Sequence, residues 1–168
     1  MTITLYAQPY DITARGFYFE TLEQFRDKAK ALTNGHGDPV EEFEIQFIDG
    51  DDLDANLAKA IVLSQANFAD FLECAEVWED WQKINVIIAT AELGYTFDAM
   101  DDPDHCGIDL YHVGSLRELA EQFVEEGLFG EVPEPFQFYI DYDAIARDLA
   151  VEYTQVTVGG ERVIYRAS

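Results

Sequence analysis

An α+β fold is predicted for this 168-residue chain, on three observations. Apolar residues alternate with a period of two in both terminal parts, they recur at helical spacing between them, and turn-forming residues separate the segments. The changes of period fall near residues 50 and 106. They divide the chain into a ββαβ-like N-terminal domain over 1–50, an acidic helical middle domain over 51–106 and an α/β C-terminal domain over 107–168. A composition that is 48% apolar and 14% aromatic supplies enough hydrophobic surface for a packed core.

Taken in order, Ile3 to Gln8 and Arg15 to Glu20 alternate as strands around a turn containing Pro9 and Asp11. Thr21 and Gln24 have capping-box spacing, and Leu22, Phe25, Ala29 and Leu32 then form a helical stripe that ends at Asn34-Gly35 and Gly37. Phe43 to Ile48 is a third strand. In the middle segment, helices are expected around Asp54 to Ser64 and Ile84 to Leu93. Between them Phe68, Phe71, Leu72, Ala75, Trp78 and Trp81 form one apolar stripe, with Asp70, Glu73, Glu76, Glu79 and Asp80 around the other face. Pro103 and the crowded acids of 98–104 make that stretch a loop. Ile108 to Val113 restarts strand alternation, and Ser115 with Glu118 caps a helix that Gly127 closes. Pro133 and Pro135 introduce a helical pattern broken near Asp141, and Gly159-Gly160 joins a final hairpin.

Charge is the most unusual property. The chain carries 34 Asp and Glu against 10 Lys and Arg. Between Asp38 and Asp109 there are 19 acids and only Lys59 and Lys83. Acidic runs of this size are ordinarily disordered, but this one also contains eight large aromatic residues, from Phe43 to Phe97, so a folded carboxylate array is expected. Its members are Glu41, Glu42, Glu44, Asp49, Asp51, Asp52, Asp54, Asp70, Glu73, Glu76, Glu79, Asp80, Glu92, Asp98, Asp101, Asp102 and Asp104. A formal charge of −24 excludes direct binding to nucleic acid or an anionic membrane and favours a basic protein partner. The sequence lacks a membrane-spanning run or secretory-signal pattern, and a cytoplasmic location is expected. Cys74 and Cys106 are expected to be buried free thiols.

Catalytic and metal chemistry find little support. Asp49, Asp51 and Asp54 begin like a calcium loop, but Leu53 and Ala60 stand where ligands are required. Asp101, Asp102, Asp104, His105 and Cys106 are read as a solvated acidic loop. His36, His105 and His112 fit no catalytic spacing, and the glycine pairs are turns without a phosphate-binding lysine. No enzyme activity, metal or cofactor is expected.

One segment is specific enough to suggest a family. Gly127-Leu128-Phe129-Gly130-Glu131-Val132-Pro133-Glu134, Tyr139-Ile140-Asp141-Tyr142 and Ala146-Arg147-Asp148-Leu149 resemble the antirestriction motif of ArdA-type proteins. The resemblance implies an acidic DNA mimic, carried by mobile elements, that occupies the DNA-binding groove of the specificity and modification subunits of type I restriction-modification enzymes. It also implies an elongated chain of three small domains and a homodimer formed through the C-terminal domain, with the motif at or near the interface. On this reading Leu128, Val132, Pro133, Phe136, Tyr139, Ile140, Asp141, Tyr142, Arg147, Asp148 and Leu149 serve packing and dimerisation, Arg147 and Asp148 forming a local cap or ion pair. The rival reading is an acidic protein adapted for solubility, or a scaffold for a basic partner. Such proteins spread their acids evenly, unlike this chain.

Overall fold

A computed structural model describes residues 1–98 and 101–168; Ala99 and Met100 of the expected acidic loop lie outside the described residues. The chain forms two compact units, 1–106 and 107–168. The protein is mixed α+β, with six α-helices, one 3-10 helix and two three-stranded antiparallel sheets among the described residues.

The first unit begins with β1 (Thr4–Pro9), β2 (Phe17–Phe19), α1 (Leu22–Ala31) and β3 (Phe43–Asp49). The sheet order is β2-β1-β3, so β1 is central and buries Leu5, Ala7 and Pro9 on one face. The second strand is shorter than expected. Arg15 and Gly16 precede the ladder, after a turn in which the Asp11 carboxylate accepts the Thr13 N–H at 2.9 Å. Thr21 caps α1 by accepting the Gln24 N–H at 3.1 Å. The Gln24 amide reaches one residue further back than a standard capping box, to the Glu20 N–H at 2.8 Å.

Three helices follow: α2 (Asp52–Ala60), α3 (Phe68–Val77) and α4 (Asp80–Ala91). Phe68 of α3 packs on Phe25 and Phe19 with ring centroids 4.7 and 5.2 Å apart, so the helical segment and the N-terminal sheet share aromatic contacts. The stripe from Phe68 to Trp81 does not lie on one helix. The backbone is extended at Trp78 and Glu79, and the Gln82 side chain accepts the Glu79 N–H at 2.8 Å to start α4. Trp81 is thereby turned outward, 36% exposed, with its indole N–H on Glu79. The buried helix is α4, where every residue from Lys83 to Ala89 is buried. Cys74 and Cys106 are free but only half-buried, a correction to the expectation of buried thiols.

The second unit consists of β4 (Ile108–Tyr111), α5 (Leu116–Glu125), the 3-10 helix (Glu134–Tyr139), α6 (Tyr142–Leu149), β5 (Thr154–Val158) and β6 (Glu161–Ala167). The sheet order is β4-β6-β5, all antiparallel, and its core gathers Leu119, Phe123, Tyr153 and Ile164 with Leu149 against them. β4 stops at Tyr111, so His112 and Val113 of the expected strand lie beyond its end. Ser115 caps α5 through the Glu118 N–H at 3.2 Å. Gly127, with φ +77°, closes α5 by a Schellman pair in which Leu128 N–H donates to Phe123 C=O at 3.0 Å and Gly127 N–H to Val124 C=O at 3.1 Å. Gly159 and Gly160 both have positive φ and form the two-residue loop between Val158 and Glu161, the conformation this tight hairpin requires.

Candidate functional site

Two features remain once the cores are accounted for. One is a carboxylate array on the first unit, and the other is an exposed apolar motif on the second.

Sixteen of the seventeen acids expected on the array are exposed: Glu41, Glu42 and Glu44 at β3; Asp49, Asp51 and Asp52 leading into α2; Asp70, Glu73 and Glu76 on α3; Glu79 and Asp80 at the start of α4; and Glu92, Asp98, Asp101, Asp102 and Asp104 after it. Asp54 is the exception. It is 4% exposed and accepts a hydrogen bond from Lys83 Nζ, itself 7% exposed, at 2.7 Å. Asp54 therefore leaves the surface set, because a buried carboxylate needs a partner and α2 carries it inward beside Leu57 and Ala58.

Asp98 aside, the other fifteen exposed carboxylates form no ion pair with a lysine or arginine among the described residues, although Asp51 lies 4.0 Å from the N-terminal ammonium. Neutral donors orient several of them instead. Trp81 Nε1 donates to Glu79 at 2.8 Å, and Gln82 Nε2 donates to Asp104 at 2.6 Å. The Asp104 N–H and then the His105 ring, 2.6 Å away, hold the Asp102 carboxyl below its ordinary pKa. The same contact, with the charge of Asp102, raises the pKa of His105. The field reaches the half-buried thiols. Burial, followed by Asp70 and Glu73, pushes the Cys74 thiol up to about 11, and Cys106 is raised by burial and by Asp102, Asp101 and Asp104. Such thiols are poor nucleophiles near neutrality.

The geometry suits recognition by a basic surface. Asp70, Glu73 and Glu76 step by three along α3, which spaces them about 4.5 Å apart along the axis, against about 3.4 Å per strand for the phosphates of B-DNA. Among the described residues no group of three or more His, Cys, Asp or Glu is gathered as a metal site would require.

The second unit is different. There Arg166 pairs with Asp109 at 2.6 Å and contacts Glu152 at 3.9 Å, Arg117 pairs with Asp143 at 2.8 Å and Glu121 at 3.2 Å, and His112 meets Glu161 at 2.9 Å. Its motif splits into two groups. Leu149 enters the core, Val132, Ile140 and Tyr142 are half-buried, and Asp141 caps α6 by accepting the Ala144 N–H at 3.0 Å. Leu128, Pro133, Phe136 and Tyr139 are exposed, as is Phe138 at 92%. Arg147 and Asp148 are exposed and in no ion pair among the described residues, so the expected local pair is absent.

A family model described as antirestriction protein (ArdA) matches residues 13–162. The chain belongs to the ArdA family. Membership implies an antirestriction function and an interaction with restriction enzymes. Comparison with individual curated proteins gives no match. Within this ArdA chain no helix of the described residues is long and apolar enough to cross a membrane. The role of Lys83 had no signal in the sequence beyond its scarcity, since its partner lies 29 residues away. The Glu79–Gln82 cap was missed, because the apolar stripe keeps its helical spacing across the break.

Proposed function

We propose that this ArdA protein is a DNA mimic, whose acidic middle segment, 51–106, occupies the DNA-binding groove of the specificity and modification subunits of type I restriction-modification enzymes and blocks cleavage and modification. The observation that carries this reading is a set of fifteen exposed carboxylates, Asp98 not counted, without a lysine or arginine counter-charge among the described residues. An enzyme that grips DNA presents rows of Lys and Arg, and those rows gain as much from an uncompensated carboxylate array as from phosphates. Base contacts are not needed, so enzymes of different sequence specificity share one inhibitor. The protein acts in the cytoplasm without binding nucleic acid, and forms a homodimer of chains with three domains, 1–50 and 51–106 within the first compact unit and 107–168 as the second. Exposed Phe136, Phe138 and Tyr139 supply the apolar surface for dimerisation through the C-terminal domain.

The test is competition between DNA and this protein for a purified type I enzyme at low and moderate salt. Displacement near stoichiometric protein, weakening as salt rises, is expected. Asp70, Glu73, Glu76, Glu79 and Asp80 are then replaced together by Asn or Gln. Each exposed pair is worth at most about 1 kcal/mol, so single changes are nearly silent while the fivefold variant loses inhibition. Full inhibition by a folded fivefold variant would remove this face from the contact, and no displacement from several such enzymes would overturn the mimicry.

A further inference from the structure

A slot of about 330 Å³ opens in the first unit among α2, α3 and the segment after α4. Buried Leu57 and Phe71 and half-buried Ile61, Trp78 and Phe97 line it, with the Trp78 and Phe97 rings edge to face at 5.3 Å. The polar groups beside this lining are already engaged. Asn67 Oδ1 accepts the Ser64 N–H at 2.7 Å, and its Nδ2 donates to the Ile61 and Val62 carbonyls at 3.3 and 3.2 Å. Cys74, also in the lining, is a neutral thiol, pushed up to about 11 by burial and then by Asp70 and Glu73. A slot of this size and lining suits one large apolar side chain.

The backbone next to Ile61 is strained. α2 ends in a Schellman pair, Leu63 N–H to Ala58 C=O at 2.9 Å and Val62 N–H to Lys59 C=O at 3.2 Å, and Val62 takes the left-handed conformation at φ +56°. Glycine is the ordinary residue there, and α5 places Gly127 at the same position. Among the described residues Val62 is the one non-glycine residue with positive φ, and a β-branched side chain suits that conformation poorly. The side chain is 74% exposed, so packing inside the chain does not offset the strain. Strain of this kind is found where the side chain serves a contact outside the fold.

Steering by the carboxylate array speeds encounter but is screened by salt, whereas long residence comes from apolar side chains seated in dry pockets. The slot opens within the array. Exposed Asp70 of α3 lines its rim and pairs with no lysine or arginine among the described residues. A surface drawn to this rim is basic, so the occupant is an apolar side chain set between cations. We infer that the slot seats a leucine, methionine or phenylalanine side chain from a basic segment of the restriction enzyme, with Val62 packed beside it. The inference rests on the reading above and adds to it a contact that charge does not make.

The first measurement titrates the full, isotope-labelled chain with the neutral probe N-acetyl-phenylalanine amide, followed by amide NMR. Shifts at 61–67, 74–78 and 96–97 are expected. They should vanish in Ala66→Trp, which places a ring in the slot's lining, and persist in Ala91→Trp, which adds the same ring at an exposed position of α4 outside it. Absence of these shifts in the unmodified protein would overturn the proposal. The second measurement follows dissociation from a purified type I enzyme at low and moderate salt. Ala66→Trp should speed dissociation about tenfold and leave the salt dependence of association unchanged, while Ala91→Trp changes neither. Val62→Gly, which cannot fail through overpacking, should raise Tm because glycine accepts this backbone, yet should dissociate several-fold faster. Unchanged dissociation of both slot variants, despite probe binding, would make the slot a small-molecule site and overturn the seating of a partner side chain. No binding of the unmodified protein to several such enzymes would sink the mimicry and with it the enzyme as the source, a failure distinct from loss of the probe shifts.

Discussion

Replacing Lys83 by Met and replacing Lys59 by Met remove the same charge from the acid-rich stretch, yet the two changes should differ sharply in outcome. Lys59 is exposed and forms no ion pair among the described residues, so its loss should move stability by no more than about 0.5 kcal/mol. Lys83 is the buried partner of Asp54 at 2.7 Å, and its loss leaves a carboxylate at 4% exposure without its counter-charge. Removing one member of a buried pair costs about 3–5 kcal/mol, a large part of the roughly 5–15 kcal/mol that holds a domain folded. At about 4 °C per kcal/mol for a unit of this size, Tm should fall by about 12–20 °C. Circular dichroism melts of the two single variants and of Asp54→Asn/Lys83→Met provide the assay, the double variant recovering most of the loss because no unpaired charge remains. If Lys83→Met melted within about 2 °C of the unmodified protein, the buried pair would not be what joins α2 to α4. A purely electrostatic view predicts that both single variants inhibit at least as well, so impaired inhibition by Lys83→Met alone would identify a scaffold rather than a charge effect.

Other outcomes are expected from the same reasoning. Asp141→Ala removes the cap of α6 and should cost about 1 kcal/mol, read as a lowered urea midpoint with an unchanged slope. His105 should titrate above the ordinary histidine value in an NMR pH series, and Asp102→Asn should bring it back, since the Asp102 hydrogen bond is the main cause of the rise. Because the folded pKa is the higher one, the stabilisation of this loop is fully present below the unfolded value and is lost as pH rises through the folded value. Phe136→Ala/Tyr139→Ala should convert the proposed dimer into a monomer at low concentration by analytical ultracentrifugation, and an unchanged dimer would place the interface elsewhere.

Local signals carried much of the fold. The Thr21 and Ser115 caps, the Gly127 stop and the Gly159-Gly160 hairpin each depend on a few adjacent residues, and each occurs where spacing places it. The break at Trp78-Glu79 was not legible, because Phe68 to Trp81 satisfy a helical period that neither tests nor records continuity of the backbone. The candidate surface was legible only as an inventory: acid counts identify the array but not that Asp54 turns inward, and the motif reads as packing and dimerisation without telling that Leu149 enters the core while Phe136 and Tyr139 face outward.

The sequence by itself determined the net charge, its concentration between Asp38 and Asp109, the alternating and helical segments, and the family. Tertiary structure alone decided which carboxylate is paired in the core and which aromatics remain uncovered. The physical reason is range. Charge, caps and turns are set within a few residues, whereas burial and pairing depend on contacts between residues as distant as Asp54 and Lys83, which only a folded chain brings together.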